Sequence, residues 1–453
     1  MSNIGICHFR VGLTDGVSLE IDKWKKAFEG MGHKVFLIAG EAPGIDATIV
    51  HELCLGCPFI RIIYKNAFYS LKDFSSEEEF FQAILQLSAF IEEKINGFIK
   101  KNQIDILIIE NIWALPLNIP ACIALYKAIK LNKIKTIAHH HDFFWERHYY
   151  SHPTCNIVKH ILSSYFPPDN RLIHHIVINS IARNELKRRR KIKSLVIPNI
   201  FEFKASKWKI DDFNYDFKEK IGLLPDDIVI LQATRIVPRK GIGLAIDLVK
   251  ELSKPDNLLF LKERGLYDGR NLSKNSRVVL VFPNLIEDLT YFRTLKEKIN
   301  REGIKALFIS EIVNRVREEK EQFKIYSLWD TYLFADLVTY PSFYEGWGNQ
   351  FLEAINAKLP IVIYEYKVFT EDIKDKGFKV ISFGSKIKGK DPQGLYYIDH
   401  HSLKNAVEKS MKLLTDSSAR RRLTNHNFKL GLKYYSMAAL KKYLESMVLI
   451  HIR

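Results

Sequence analysis

At 453 residues, with 47% hydrophobic and 26% charged side chains, the chain is too long for one core, and two soluble domains are expected. A net charge of +16 favours anionic partners such as nucleotides, phosphorylated substrates or acidic surfaces. Five scattered cysteines (Cys7, Cys54, Cys57, Cys122 and Cys155) exclude a disulfide framework, and the lone C-x-x-C at Cys54–Cys57 has no second pair. With no signal-like start and no long apolar run, the expected location is the cytoplasm.

Taken in order, Ile4–Phe9 is a short apolar run that predicts a buried strand. Leu19, Ile21, Trp24, Ala27, Phe28 and Met31 then recur at helical spacing, with Gly30 and Gly32 ending the helix, and Val35–Ala39 is the next strand. Such a strand–helix–strand crossover is the signature of a parallel sheet. Further strands are predicted in 104–113, in 134–145 (ending in a histidine cluster), in 174–180 and in 194–200, the last two separated by a basic helix. Residues 201–223 read as a linker with a short helix. A second alternating set follows at 228–236, 243–252, 277–283, 305–313, 335–342, 360–366 and 377–383. The fold class is therefore α/β, with two doubly wound halves. Ligands of open α/β sheets sit beyond the carboxyl ends of the strands, so two such halves would face a common cleft.

Five polar clusters lie at those strand ends. In the first turn Gly12 and Gly16 flank Thr14 and Asp15 at a helix start, where backbone amides could hold a phosphate or Asp15 could cap the helix. The second cluster is His139-His140-His141-Asp142-Phe143-Phe144-Trp145. Adjacent residues on extended chain face opposite ways, so the three histidines cannot all bind one metal; a histidine bonding a substrate hydroxyl, oriented by Asp142 or backbone, is expected instead. The phenylalanines and Trp145 read as an apolar platform or as core. Arg235 and Lys240, the third cluster, stand at a strand tip and a helix mouth, spaced to bracket a diphosphate.

The fourth, Ser342-Phe-Tyr-Glu-Gly-Trp-Gly-Asn-Gln-Phe-Leu-Glu353, sets Glu345 and Glu353 around a Gly346/Gly348 turn that opens a helix at Asn349 and Gln350. Carboxylates there accept hydrogen bonds from sugar or ribose hydroxyls; a glycosidase pair is the alternative, but a hydrolase needs no diphosphate clamp. The fifth is the cationic run at 185–193, a solvated helix face or a contact for anionic lipid or an acidic acceptor. No nucleic-acid-binding motif accompanies it.

The Glu345/Glu353 pair, the Arg235/Lys240 pair, the Asp15-Gly16 turn and the histidine after the fourth strand resemble the family-four retaining glycosyltransferases. The resemblance covers nearly the whole chain. It implies the GT-B fold, two Rossmann-like domains with a C-terminal helix crossing back to the first, bounded here as 1–202 (acceptor), 203–425 (nucleotide sugar) and 426–453 (returning helix). It implies that Arg235 and Lys240 neutralise the leaving diphosphate, that Gly16 lets backbone approach the donor phosphate or acceptor, and that Glu353 holds the ribose. Glu345 would touch the transferred sugar, and backbone near Gly346, Gly348, Asn349 and Gln350 would meet phosphate or sugar. His140 or His141 would bond a sugar hydroxyl, and Asp15, His140, Asp142 and Trp145 would line the acceptor side.

No tightly bound cofactor or metal is implied, with stimulation by a divalent ion left open. Residues 10–35, 139–147, 361–381 and 425–436 are similar to the mannosylglucosylglycerate synthase branch, which implies GDP-mannose as donor, UDP-glucose next, and glucosylglycerate as acceptor. The same family also holds lipid- or polysaccharide-directed transferases at the inner membrane face, and the fold holds sugar phosphorylases; a non-catalytic nucleotide-sugar binder is the remaining class. Two departures mark this chain: a third histidine, and Asp15 where glycine is commoner.

Overall fold

The computed structural model describes residues 1–13, 15–203, 208–320 and 323–451. Thr14 of the first turn and residues 204–207 of the linker lie outside them. The chain divides into two compact units, Met1–Ile200 with Met437–Arg453, and Phe201–Ser436.

The first unit runs β1 (Asn3–Arg10), α1 (Gly16–Glu29), β2 (Lys34–Glu41), β3 (Thr48–Ile49), α2 (Pro58–Phe68), α3 (Glu77–Lys101), β4 (Ile106–Glu110), α4 (Ile119–Asn132), β5 (Lys135–His140), α5 (Asn156–Tyr165), β6 (Ile173–Val177), α6 (Ser180–Arg190) and β7 (Ser194–Val196). All seven strands are parallel, in the order β3-β2-β1-β4-β5-β6-β7. β4 reads Ile-Leu-Ile-Ile-Glu and is buried throughout, as expected of a central strand covered on both faces. Its register sets Glu110 beside His139 of β5. The sheet order turns between β1 and β4, the crevice where a doubly wound sheet binds ligands.

In the second unit come α7 (Phe217–Lys220), β8 (Ile228–Leu231), α8 (Ile242–Leu252), α9 (Pro255–Arg264), β9 (Val278–Phe282), α10 (Leu289–Arg301), β10 (Lys305–Phe308), β11 (Val313–Asn314), β12 (Glu318–Lys320), β13 (Phe323–Ser327), α11 (Leu328–Leu333), β14 (Leu337–Tyr340), α12 (Asn349–Asn356), β15 (Ile361–Ile363), β16 (Ile381–Ser382), α13 (His400–Thr415) and α14 (Ser417–Tyr435). The main sheet is parallel, ordered β10-β9-β8-β14-β15-β16, with its turning point between β8 and β14. The run predicted as one strand over 305–313 ends at Phe308; Val313 and Asn314 pair instead with β13 in a separate small sheet.

The last helix, α15 (Met437–His451), belongs to the first unit. Its Leu440, Leu444 and Met447 share a core with Trp24 and Phe28 of α1. Burying each such side chain contributes about 2 kcal/mol. The two architectures are both Rossmann-like, as the sequence led us to expect.

Candidate functional site

In the second unit the loops leaving β8 and β14 meet. Pro238–Lys240 form one tight turn closed by Gly241 at φ +60°, where a Cβ would overlap the Pro341 carbonyl. That turn drives Lys240 inward until its side chain is 3% exposed, and its Nζ donates to Glu345 Oε1. Arg239 Nη1 donates to Glu345 Oε2 at 3.1 Å and to the Tyr344 carbonyl at 3.1 Å. Burial alone would raise the Glu345 carboxyl; the Lys240 and Arg239 charges outweigh it and hold the group below its usual range. Burial lowers the Lys240 ammonium, and Glu345 opposes that.

Arg235 stands apart from this cluster, half exposed, with Nη1 donating to Glu287 Oε1 at 2.6 Å. Arg239 is thus a site residue that the spacing of Arg235 and Lys240 did not single out; its only sequence signal is adjacency to Lys240.

Gly348 caps α12 at φ +116°, and a Cβ there would overlap the Tyr366 hydroxyl. Asn349 and Gln350 open the helix, half-buried, with first-turn amides and the positive dipole end beside the Gly346–Gly348 turn. One helical turn on, Glu353 accepts a 2.8 Å hydrogen bond from the Tyr332 hydroxyl. A cavity of about 330 Å³ adjoins the Lys240 turn, lined in part by Gly241, Asp288, Phe343 and Tyr396. Fixed cations, a helix N-terminus and a carboxylate in one unit suit a sugar nucleotide's diphosphate and ribose.

In the first unit, β4 and β5 deliver a buried carboxylate and two imidazoles. His139 and His141, two positions apart, share a face: Glu110 Oε2 lies 3.0 Å from His139 Nδ1 and 3.3 Å from His141 Nε2. His8 Nδ1 donates to the Glu110 carbonyl at 2.7 Å, and Trp24 stacks on His139 with centroids 4.5 Å apart. Burial would raise the Glu110 carboxyl, but the imidazoles, His139 foremost, bring it down to about 2. Burial would lower His141; Glu110 more than offsets this and raises it above the usual imidazole range. Among the described residues, Glu110, His139 and His141 are the group whose donor atoms, within 4.8 Å of one another, could hold a metal ion.

His140 points the other way. Its Nε2 meets His175 Nδ1 at 3.0 Å, it is enclosed, and burial holds it well below its usual value. Between the two histidines left open by the sequence, His141 is the one with an exposed edge, 11% of its side chain. Its backbone N–H donates to Asn111 Oδ1, whose amide donates to Asp142 Oδ1 at 3.0 Å. Arg147 Nη2 also donates to Asp142. Phe143 is core, and Trp145 stacks on it with centroids 4.3 Å apart. Asp15 caps α1, accepting the Val17 and Ser18 amides at 3.2 Å, so its carboxylate sits where a phosphate would meet the helix that Gly16 opens.

No family model matches the sequence. Curated proteins do. The mannosylglucosylglycerate synthase of Petrotoga mobilis is 38% identical over 439 residues, covering 97% of this chain and 99% of that protein. The mannosylglucosylglycerate synthase of Thermotoga maritima is 40% identical over 447 residues, covering 98% and 99%. The chain belongs to the mannosylglucosylglycerate synthase family.

Solved structures agree on the fold. A Rickettsia africae glycosyltransferase superimposes with TM-score 0.60 at 15% identity, covering 99% of this chain and 98% of that one. Anabaena HepE, solved with UDP and glucose, superimposes with TM-score 0.56 at 12% identity over 99% of this chain and 100% of that one. This member of the synthase family is thus a glycosyltransferase enzyme with the GT-B fold. Among its described residues no helix is long and apolar enough to cross a membrane. Its basic helix α6 is partly neutralised, because Glu185 pairs with both Arg188 and Arg189.

Proposed function

We propose that this protein transfers a mannosyl group from GDP-mannose to glucosylglycerate with retention at the anomeric carbon. The observation that carries this reading is near-full-length identity of 38% and 40% to two mannosylglucosylglycerate synthases. The geometry of the second unit supports it. Lys240, with Arg239 beside it, and Arg235 neutralise the diphosphate as the bond from the anomeric carbon to the phosphate oxygen breaks. The α12 amides at Asn349 and Gln350 hold the phosphate, Glu353 the ribose, and Glu345 a hydroxyl of the transferred sugar. An acceptor hydroxyl attacks from the face the phosphate leaves, and its proton passes to the departing phosphate oxygen. His141, set by Glu110, bonds a sugar hydroxyl. The nucleotide sugar is a co-substrate, and no step in this scheme requires a bound metal.

The test is incubation of the purified protein with glucosylglycerate and GDP-mannose, UDP-glucose or ADP-glucose in turn, with and without magnesium. Nucleotide release and the anomeric proton coupling of the product are then read. GDP release with a product of retained configuration is expected. Turnover with UDP-glucose alone would keep the transferase and replace the donor, while turnover that depends on inorganic phosphate would replace transfer by phosphorolysis.

A further inference from the structure

A second cavity, of about 650 Å³, opens in the first unit where α2 meets the loops after β3 and β4. It is within the usual size range of small-molecule sites. Leu55 and Leu117 line it on the loop side, and Arg61, Lys65, Lys72, Tyr64 and Tyr69 line it from α2 and the segment that follows. None of these cations or tyrosines belongs to a motif used above.

Three features make the cavity selective for an anion. Arg61 and Lys65 lie four positions apart on α2, one turn of helix, where like charges repel unless something negative sits between them. Among the described residues no carboxylate forms an ion pair with Arg61, Lys65 or Lys72. The carboxylates beside them in sequence are engaged elsewhere: Glu52 with Lys94 at 3.3 Å, and Asp73 with the Asn66 amide at 2.7 Å. The opposite face of α2 is anchored by Ile63 and Ala67 in the core, so the cations sit on a rigid element.

The cavity is also placed at the reacting edge of this sheet. Leu55 and Leu117 follow β3 and β4, and Asn118 pins their loops together by donating to the Glu52 carbonyl at 2.8 Å. The Tyr64 hydroxyl lies 3.4 Å from that of Tyr149, in the segment that follows His141. Tyr69 is 72% exposed, an aromatic face with a polar tip, suited to lie against a sugar ring.

We propose that this cavity is the subsite for the carboxylate of the acceptor, with Arg61 and Lys65 binding the carboxylate, Lys72 adding charge, and Tyr64 and Tyr69 flanking the sugar to which it is attached. The proposal rests on the reading above that the acceptor is a small acidic glycoside, and it names the residues that make acidity a requirement.

Initial rates are to be measured with glucosylglycerate and with its uncharged amide, for the parent protein and for Arg61→Ala, Lys65→Ala and Arg61→Lys. Donor-only hydrolysis and the thermal midpoint are followed alongside as checks on fold and donor site. Either alanine variant should raise the acceptor KM by about tenfold or more, equivalent to one charge-assisted hydrogen bond. The donor KM, kcat and melting should be unchanged, preference for acid over amide should collapse, and Arg61→Lys should recover most of the loss. Unchanged acceptor KM and unchanged acid preference in an active protein would overturn the subsite and leave the transferase reading standing. A fall in kcat alone would equally overturn it, since the residues would then serve the chemistry. A parent protein that transfers nothing to glucosylglycerate from any donor would overturn the functional reading, and this proposal with it.

Discussion

The two units share a topology and use it oppositely. In the second, charge is paired: Lys240 and Arg239 clamp a buried Glu345 and hold its carboxyl below its usual range. In the first, Glu110 sits between two imidazoles and raises that of His141 above its usual range. The difference follows from what each strand end delivers. A turn containing adjacent arginine and lysine gives a fixed cationic cluster, which we propose anchors the diphosphate, while neighbouring strand ends in register give a carboxylate–imidazole network of the kind that bonds hydroxyl groups. One fold thus carries a cation–carboxylate cluster in one half and a carboxylate–imidazole network in the other.

The sharpest way to break this contrast is at Glu345. Glu345→Ala leaves Lys240 buried without its counter-ion and should destabilise the protein by about 3–5 kcal/mol in denaturant titrations, with loss of transfer. Lys240→Ala should be milder for stability, because Glu345 retains Arg239, yet should lower kcat by about 10²–10³-fold. Equal stability losses in the two variants would mean that Arg239 does not share the carboxylate.

On the other side, Glu110→Gln tests whether the network is charged. The carboxyl drops from its ordinary 4.5 to about 2 on folding, so its contribution is present above pH 4.5 and fades as pH falls towards 2. That contribution is on the order of 3 kcal/mol, and Glu110→Gln should flatten the acid limb of stability measured by denaturation across that window. His141 is displaced the opposite way, so its contribution is full below pH 6.5 and is lost as pH rises through its higher folded value.

A smaller effect is expected from Glu353→Gln, which keeps a partner for Tyr332 but removes a charge: nucleotide affinity should weaken about tenfold by calorimetry, with kcat nearly constant. Smallest of all is Arg188→Ala with Arg189→Ala. Both side chains are exposed and satisfied by Glu185, and the double variant should match the parent in melting and turnover. A loss of activity in that variant would give α6 a place in the reaction.

Much of the fold was legible because alternating apolar strands and amphipathic helices are local patterns. The Gly348 turn and α12 were legible for the same reason: a glycine, a helix start and two spaced carboxylates lie within one dozen residues. Glu110 was not, because it closes an apolar run and only register shows it beside His139. Arg239 was hidden by its neighbour. The α2 cations were passed over because no motif marks them; a cavity is a property of packing.

What the sequence determined by itself was the layered α/β plan, the cationic balance that favours anionic ligands and the residue types at the strand ends, since all of these depend on composition and short-range periodicity. The tertiary structure alone decided which charges meet. It turned Lys240 into the core, gave Arg239 to Glu345 and Arg235 to Glu287, sent His140 to His175 and His141 to Glu110, and returned α15 to the first unit. Pairing of groups distant in sequence depends on register and loop geometry, and these are fixed only when the strands align and the core closes around them.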